Sequence, residues 1–100
     1  MSYNYLSSYT NNNLLKIAFK NIGYNSNFTK FDSSYIRNWG VNSDTVTDAR
    51  QSLIDSLVTY SFDRANAGYS TCTITLGATT KALLTEDEIA QITAKGFTIA

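Results

Sequence analysis

The sequence predicts a small α/β fold, with α+β as the alternative. Two to three strand–loop–helix units would form a partial solenoid behind an N-terminal arm. Three observations predict it. Thr71 to Leu76 alternates between threonine and buried-type residues with a period of two. Apolar residues recur at helical spacing in three separate segments. The order strand, loop, capped helix also occurs twice at nearly the same offset. Residues 1–13 read as the arm and 14–100 as one small domain, about the size of a single folding unit.

Each element has a local cause. In the arm, Tyr3, Tyr5 and Tyr9 alternate with Asn and Ser, and Asn11 to Asn13 form a polar stop. Disordered tails are poor in aromatics. The segment therefore reads as an edge strand or a tail folded back on the core, or else as an arm that docks on another chain. Tyrosine suits docking because it gives large contact area at low entropic cost. A first helix is expected over 13–22, burying Leu14, Leu15, Ala18, Phe19 and Ile22, with Lys16 and Lys20 on the other face. An Asn caps it, Lys20 complements the dipole in the last turn, and Gly23 is expected in the left-handed position after it. Residues 25–34 read as a loop anchored by Phe28 and Phe31, and residues 35–39 as a short extended stretch ending at Gly40.

A second helix is expected over 48–60, from Ala49, Leu53, Ile54, Leu57 and Val58, with Thr47 or Asp48 as cap. The strand follows over 70–76, where Cys72, Ile74 and Leu76 alternate with Thr71, Thr73 and Thr75. Residues 78–84 read as a loop. Thr85-Glu86-Asp87-Glu88 is a capping box with acids at the positive end of the dipole, opening a third helix with Ile89, Ala90 and Ile92 on its buried stripe. Lys95 and Gly96 end it, and Phe97-Thr98-Ile99 is a final short strand.

Each helix is followed by a glycine and an aromatic: Gly23-Tyr24, Gly68-Tyr69 and Gly96-Phe97. Trp39-Gly40 through Val46-Thr47 matches Leu76-Gly77 through Leu84-Thr85, at offsets of 37 and 38. Strand, loop, capped helix and return to strand is the unit of a solenoid of leucine-rich-repeat type. The alternative is the plain αβ alternation of a small α/β domain. On the solenoid view so few units leave a strand edge open, and that edge and the tyrosine arm are both places for a neighbouring copy.

Composition excludes several functions. Hydrophobic residues are 43%, enough for a core, but charged residues are only 16%, against roughly 25% in average globular proteins. Asn, Ser and Thr, 34 residues together, take their place. Net charge is zero, so nothing sequence-wide attracts a nucleic-acid backbone. No histidine is present for acid–base work or metal ligation. One cysteine, Cys72, can make neither an internal disulfide nor a zinc cluster. No apolar run reaches the roughly 20 residues of a membrane helix, and the N-terminus lacks a signal-peptide pattern.

The remaining chemical candidates are few. Glu86, Asp87 and Glu88 read as a cation site or as a first helical turn satisfied by its own dipole. Cys72 reads as a small buried hydrophobe or a reactive thiol. Nothing activates the many hydroxyls, and Gly77 to Lys81 lacks the Gly-Lys-Ser/Thr end of a phosphate loop. Trp39 reads as core or as an interface anchor.

The segment Ile74-Thr75-Leu76-Gly77, Leu84-Thr85-Glu86-Asp87-Glu88-Ile89-Ala90, Lys95-Gly96-Phe97-Thr98-Ile99 resembles a known module. It is similar to the short leucine-rich-repeat-like module of bacteriophage virion surface proteins (fibre, tail and head accessory proteins). Phe97 stands where tryptophan is commoner in that module. The likeness covers roughly residues 36–100. It implies a non-enzymatic virion structural protein, a small capsid-decorating head-fibre or accessory component docked by its N-terminal region. A chain of this size beginning at Met1 is expected to be a complete small protein. The expected partners are other capsid or fibre subunits and further copies of the chain, a dimer first and a trimer second. Tyr3, Tyr5, Tyr9 and Trp39 would be interface residues; no catalytic, metal or cofactor site, nucleic acid or membrane is expected. The alternative is a tail-fibre-associated or host-surface glycan-binding adhesion module.

Overall fold

Alternation in the Thr-rich stretch becomes the central strand of a three-stranded parallel sheet. A computed structural model of the protein describes residues 12–34, 36, 39 and 46–100. Its elements run α1 (Asn12–Tyr24), β1 (Lys30–Asp32), α2 (Val46–Ile54, continued by a π-helical turn Asp55–Thr59), β2 (Cys72–Thr75), α3 (Ala78–Lys81), α4 (Glu86–Ala94) and β3 (Phe97–Ile99). The fold is thus a small α/β domain whose strands stand in chain order, β1-β2-β3, all parallel. Right-handed crossovers, the general rule for parallel strands, would place connecting helices on one side of a sheet in that order. The sheet is neither closed nor curled.

The core fills the space between the sheet and the helices. Cys72, Ile74, Phe97 and Ile99 point inward from β2 and β3, to meet Leu15, Ala18, Phe19 and Ile22 of α1, Leu53 and Leu57 of the second helix and Ile92 of α4. The end of the second helix touches both α1 and α4. Arg50 locks it to α4: its guanidinium meets the Glu88 carboxylate at 2.8 and 3.1 Å and also donates to the Leu83 carbonyl.

The capping box of α4 forms as its sequence requires. Thr85 Oγ1 accepts from the Glu88 N–H, and Glu88 Oε1 accepts from the Thr85 N–H. The second helix ends differently from expectation, because its last turn widens; the Tyr60 N–H reaches back five residues to the Asp55 carbonyl at 3.0 Å. A widened turn leaves carbonyls to outside donors. Lys95 Nζ supplies two of those contacts, to the carbonyls of Val58 and Ser61, and Ser61 Oγ donates to the Leu57 carbonyl at 2.7 Å.

Four expectations are corrected. The helix expected over 13–22 continues through Gly23 to Tyr24, and Gly23 is not left-handed. Glycine is needed there for close approach: a Cβ would stand 3.0 Å from Phe97 Cζ and 3.2 Å from Phe62 Cβ. The first strand is Lys30–Asp32, inside the stretch read as loop, while Ile36 and Trp39 are buried outside any strand. Residues 78–81 form a helical turn. Finally, paired residues Lys30, Thr73 and Thr98 are 43 and 25 residues apart, so the offset of 37 to 38 does not coincide with the strand register.

Candidate functional site: an aromatic groove at the end of the first helix

Parallel sheets are ordinarily covered on both faces, and their strands then read as continuous apolar runs. Here the strands alternate, and the face opposite the core is polar among the described residues. It carries the rows Lys30–Thr73–Thr98 and Asp32–Thr75, half-buried to exposed. The N–H and hydroxyl of Ser34 donate to Asp32 Oδ1 at 2.9 and 2.5 Å and hold the carboxyl below its ordinary range. The face is polar, with one cationic and one anionic side chain two residues apart on β1.

A concave site lies at the C-terminal end of α1. Asn21, Tyr24, Asn25, Ser26 and Tyr69 line a shallow groove of about 550 Å³. Phe62 holds both tyrosines, meeting Tyr24 edge-on at 5.1 Å and Tyr69 at 5.7 Å between ring centroids. Beneath them Arg64 is fully buried. Its Nη1 donates to the carbonyls of Gly23 and Asn25 at 2.9 Å each, and its Nε and Nη2 donate to the Ser70 carbonyl at 3.0 and 2.8 Å. One guanidinium therefore caps the C-terminus of α1 and ties it to the segment around Tyr69. Its carbon lies 5.5 Å from the Tyr69 ring centroid. The Asn25 side chain accepts from the Asn27 N–H at 3.0 Å, which fixes the turn leaving the helix.

Gly96 belongs to the same construction. Its φ is +95°, and a Cβ would fall 2.8 Å from the Ala65 nitrogen and 2.9 Å from Arg64 Cβ. The end of α4 therefore passes directly against the arginine segment, and only glycine allows it.

The other candidates resolve into structural parts. Glu88 belongs to the capping box and the Arg50 pair, and among the described residues no group of three His, Cys, Asp or Glu could hold a metal ion. Cys72 is fully buried; burial raises its thiol pKa, and the nearby Arg64 charge only partly offsets that. Lys81 donates to the Ile99 carbonyl at 3.2 Å, so it and Lys95 serve backbone acceptors. Among the described residues no helix is long and apolar enough to cross a membrane.

Of the expected interface residues, Tyr3, Tyr5 and Tyr9 lie outside the described residues. Trp39 is in the core, 4% exposed, with its ring 5.5 Å from that of Phe19. Its indole N–H, with the Ser52 and Ser56 hydroxyls, is buried without a hydrogen-bond partner among the described residues. Sequence reasoning missed the groove, although the signal was present. Gly23-Tyr24 and Gly68-Tyr69 place their tyrosines on it, and the Phe97 of Gly96-Phe97 packs under Gly23. The three Gly-aromatic pairs meet at one place. No family model matches the chain, and neither a curated protein nor a solved structure does.

Proposed function

We propose that the chain is a non-enzymatic structural protein of a bacteriophage virion, a small capsid-decorating component that docks through its N-terminal region and associates with further copies. The observation that carries this reading is the open-ended sheet: three parallel strands in chain order, with no further strand at the outer edges among the described residues. Such an edge is a template for another strand, which a neighbouring copy can supply. Zero net charge removes general repulsion between copies. The outer side of α1 supports docking from that end. Ile17 is 55% exposed there, and Tyr60 is 51% exposed with Lys16 Nζ 4.7 Å from its ring centroid.

A twofold dimer is the first expectation, since closed twofold symmetry is the commonest arrangement. Mass spectrometry of purified phage particles tests the reading: the chain should be present at a fixed ratio to the capsid protein. Its absence from particles, or a strictly monomeric light-scattering profile at high concentration, would refute it.

A further inference from the structure

We infer that the groove between Tyr24 and Tyr69 is a binding site for a neutral saccharide. The inference stands independently of a virion role. It begins from an exposure that the fold leaves unexplained: Tyr24 ends α1 with 65% of its surface in solvent, although an aromatic ring is worth most when buried. The ring is nevertheless held in place, because Phe62 meets it edge-on, and the same Phe62 touches Tyr69. Two aromatic surfaces are thus fixed before any ligand arrives, which lowers the ordering cost of binding.

The lining chooses the ligand class. Besides the two rings it offers Asn21, Asn25 and Ser26, and no charged side chain. A phosphate, a sulfate or an acidic sugar would find no partner of opposite charge in it, since the Arg64 guanidinium below is spent on the carbonyls of Gly23, Asn25 and Ser70. A purely apolar ligand would strip water from the amides without replacing their hydrogen bonds. A neutral sugar satisfies both: its C–H faces lie on tyrosine rings, and its hydroxyls donate to and accept from Asn and Ser side chains. Asn25 Oδ1 already accepts from the Asn27 N–H, so this amide serves mainly as the donor end. The volume, about 550 Å³, lies within the roughly 300–1,000 Å³ of small-ligand sites.

The test is a titration of the ¹⁵N-labelled full chain, followed by amide shifts. The probes are lactose, maltotriose and chitotriose, with sialyllactose as the acidic control. At least one neutral sugar should bind and move the amides of Asn21, Tyr24, Asn25, Ser26 and Tyr69 together. Tyr24→Ala removes an exposed ring and should leave the remaining spectrum in place while weakening binding about tenfold. Asn25→Asp keeps the acceptor for Asn27 but loses the donor, and should also weaken binding severalfold with the turn intact. No binding across the neutral glycans overturns the inference. So do shifts confined to the polar sheet face, equal binding of the acidic control, or unchanged affinity in both variants. Presence or absence of the chain in phage particles has no bearing on these outcomes.

Discussion

Replacing Arg64 by methionine should remove more stability than any other single change to the described polar groups. The side chain is fully buried, and its guanidinium serves the carbonyls of Gly23, Asn25 and Ser70, the last through two nitrogens. Methionine fills much of the same volume and supplies no donor. Hydrogen bonds involving a charged group contribute about 1.5–3 kcal/mol each. Against that, the wild-type chain bears the cost of burying a cation among neutral carbonyls, and the substitution relieves it. Three carbonyls that lose their donor cost about 1–3 kcal/mol each, and after that relief the net loss is about 3–5 kcal/mol. A domain of this length has a total stability of about 5–15 kcal/mol, so the variant should lie near its folding threshold. The melting temperature should fall by roughly 15–30 °C.

Trp39 is the only tryptophan and packs against Phe19, so its fluorescence reports the core during urea unfolding. The urea midpoint should fall by about 2–3 M. Arg64→Lys should lie between the two, because one ammonium cannot reach carbonyls on both sides of the groove floor. A methionine variant within about 1 kcal/mol of wild type would refute the argument, since it would mean that water satisfies these carbonyls equally well.

Other predictions follow from the same structure. Gly96→Ala should cost about 2–4 kcal/mol, because positive φ and a 2.8 Å approach to the Ala65 nitrogen act together. Gly68→Ala, with φ of +77° but nothing within 4 Å, should cost only about 1 kcal/mol; equal thermal shifts for the two would count against the close-contact argument. The Arg50 hydrogen bonds, then the Thr85 N–H, lower the Glu88 pKa from its ordinary 4.5. The folded chain therefore holds this group with fewer protons than the unfolded chain does. The stabilisation is fully present above about pH 4.5 and is lost as pH falls through the lowered value. In melting curves between pH 6 and pH 2, Glu88→Gln should lose part of that acid dependence. Cys72 should react with a thiol reagent at mildly alkaline pH only as fast as the domain opens; a rapid reaction in the native state would contradict its burial.

How far the fold was legible follows the range of the signals. The strand around Cys72–Thr75 and the helix opening at Thr85 were readable because alternation and a capping box act within six residues. Lys30–Asp32 was not readable, since it has one apolar residue and becomes a strand only by pairing with Thr73, Ile74 and Thr75 more than 40 positions away. Gly23 carried the local mark of a helix end, but the approach of Phe62 and Phe97 overrides it. Arg64 sits in the polar run Ser61-Phe62-Asp63-Arg64-Ala65-Asn66, where nothing local distinguishes it from a solvated cation. The Gly-Tyr pairs of the groove were visible, but their meeting was not, because the two tyrosines come from segments 45 residues apart.

The contact between Phe97 and Gly23 bears on how the molecule comes apart. In an array of stacked repeats each unit touches only its neighbours, so one end can fray while the other persists. Here the last strand reaches the first helix, and Gly96 presses on the arginine that caps that helix. The first helix and the last strand therefore hold one another. Unfolding should be a single all-or-none event, with coincident transitions by fluorescence and circular dichroism. Amide protection in α1 should vanish when β3 is released, although no strand pairing joins them.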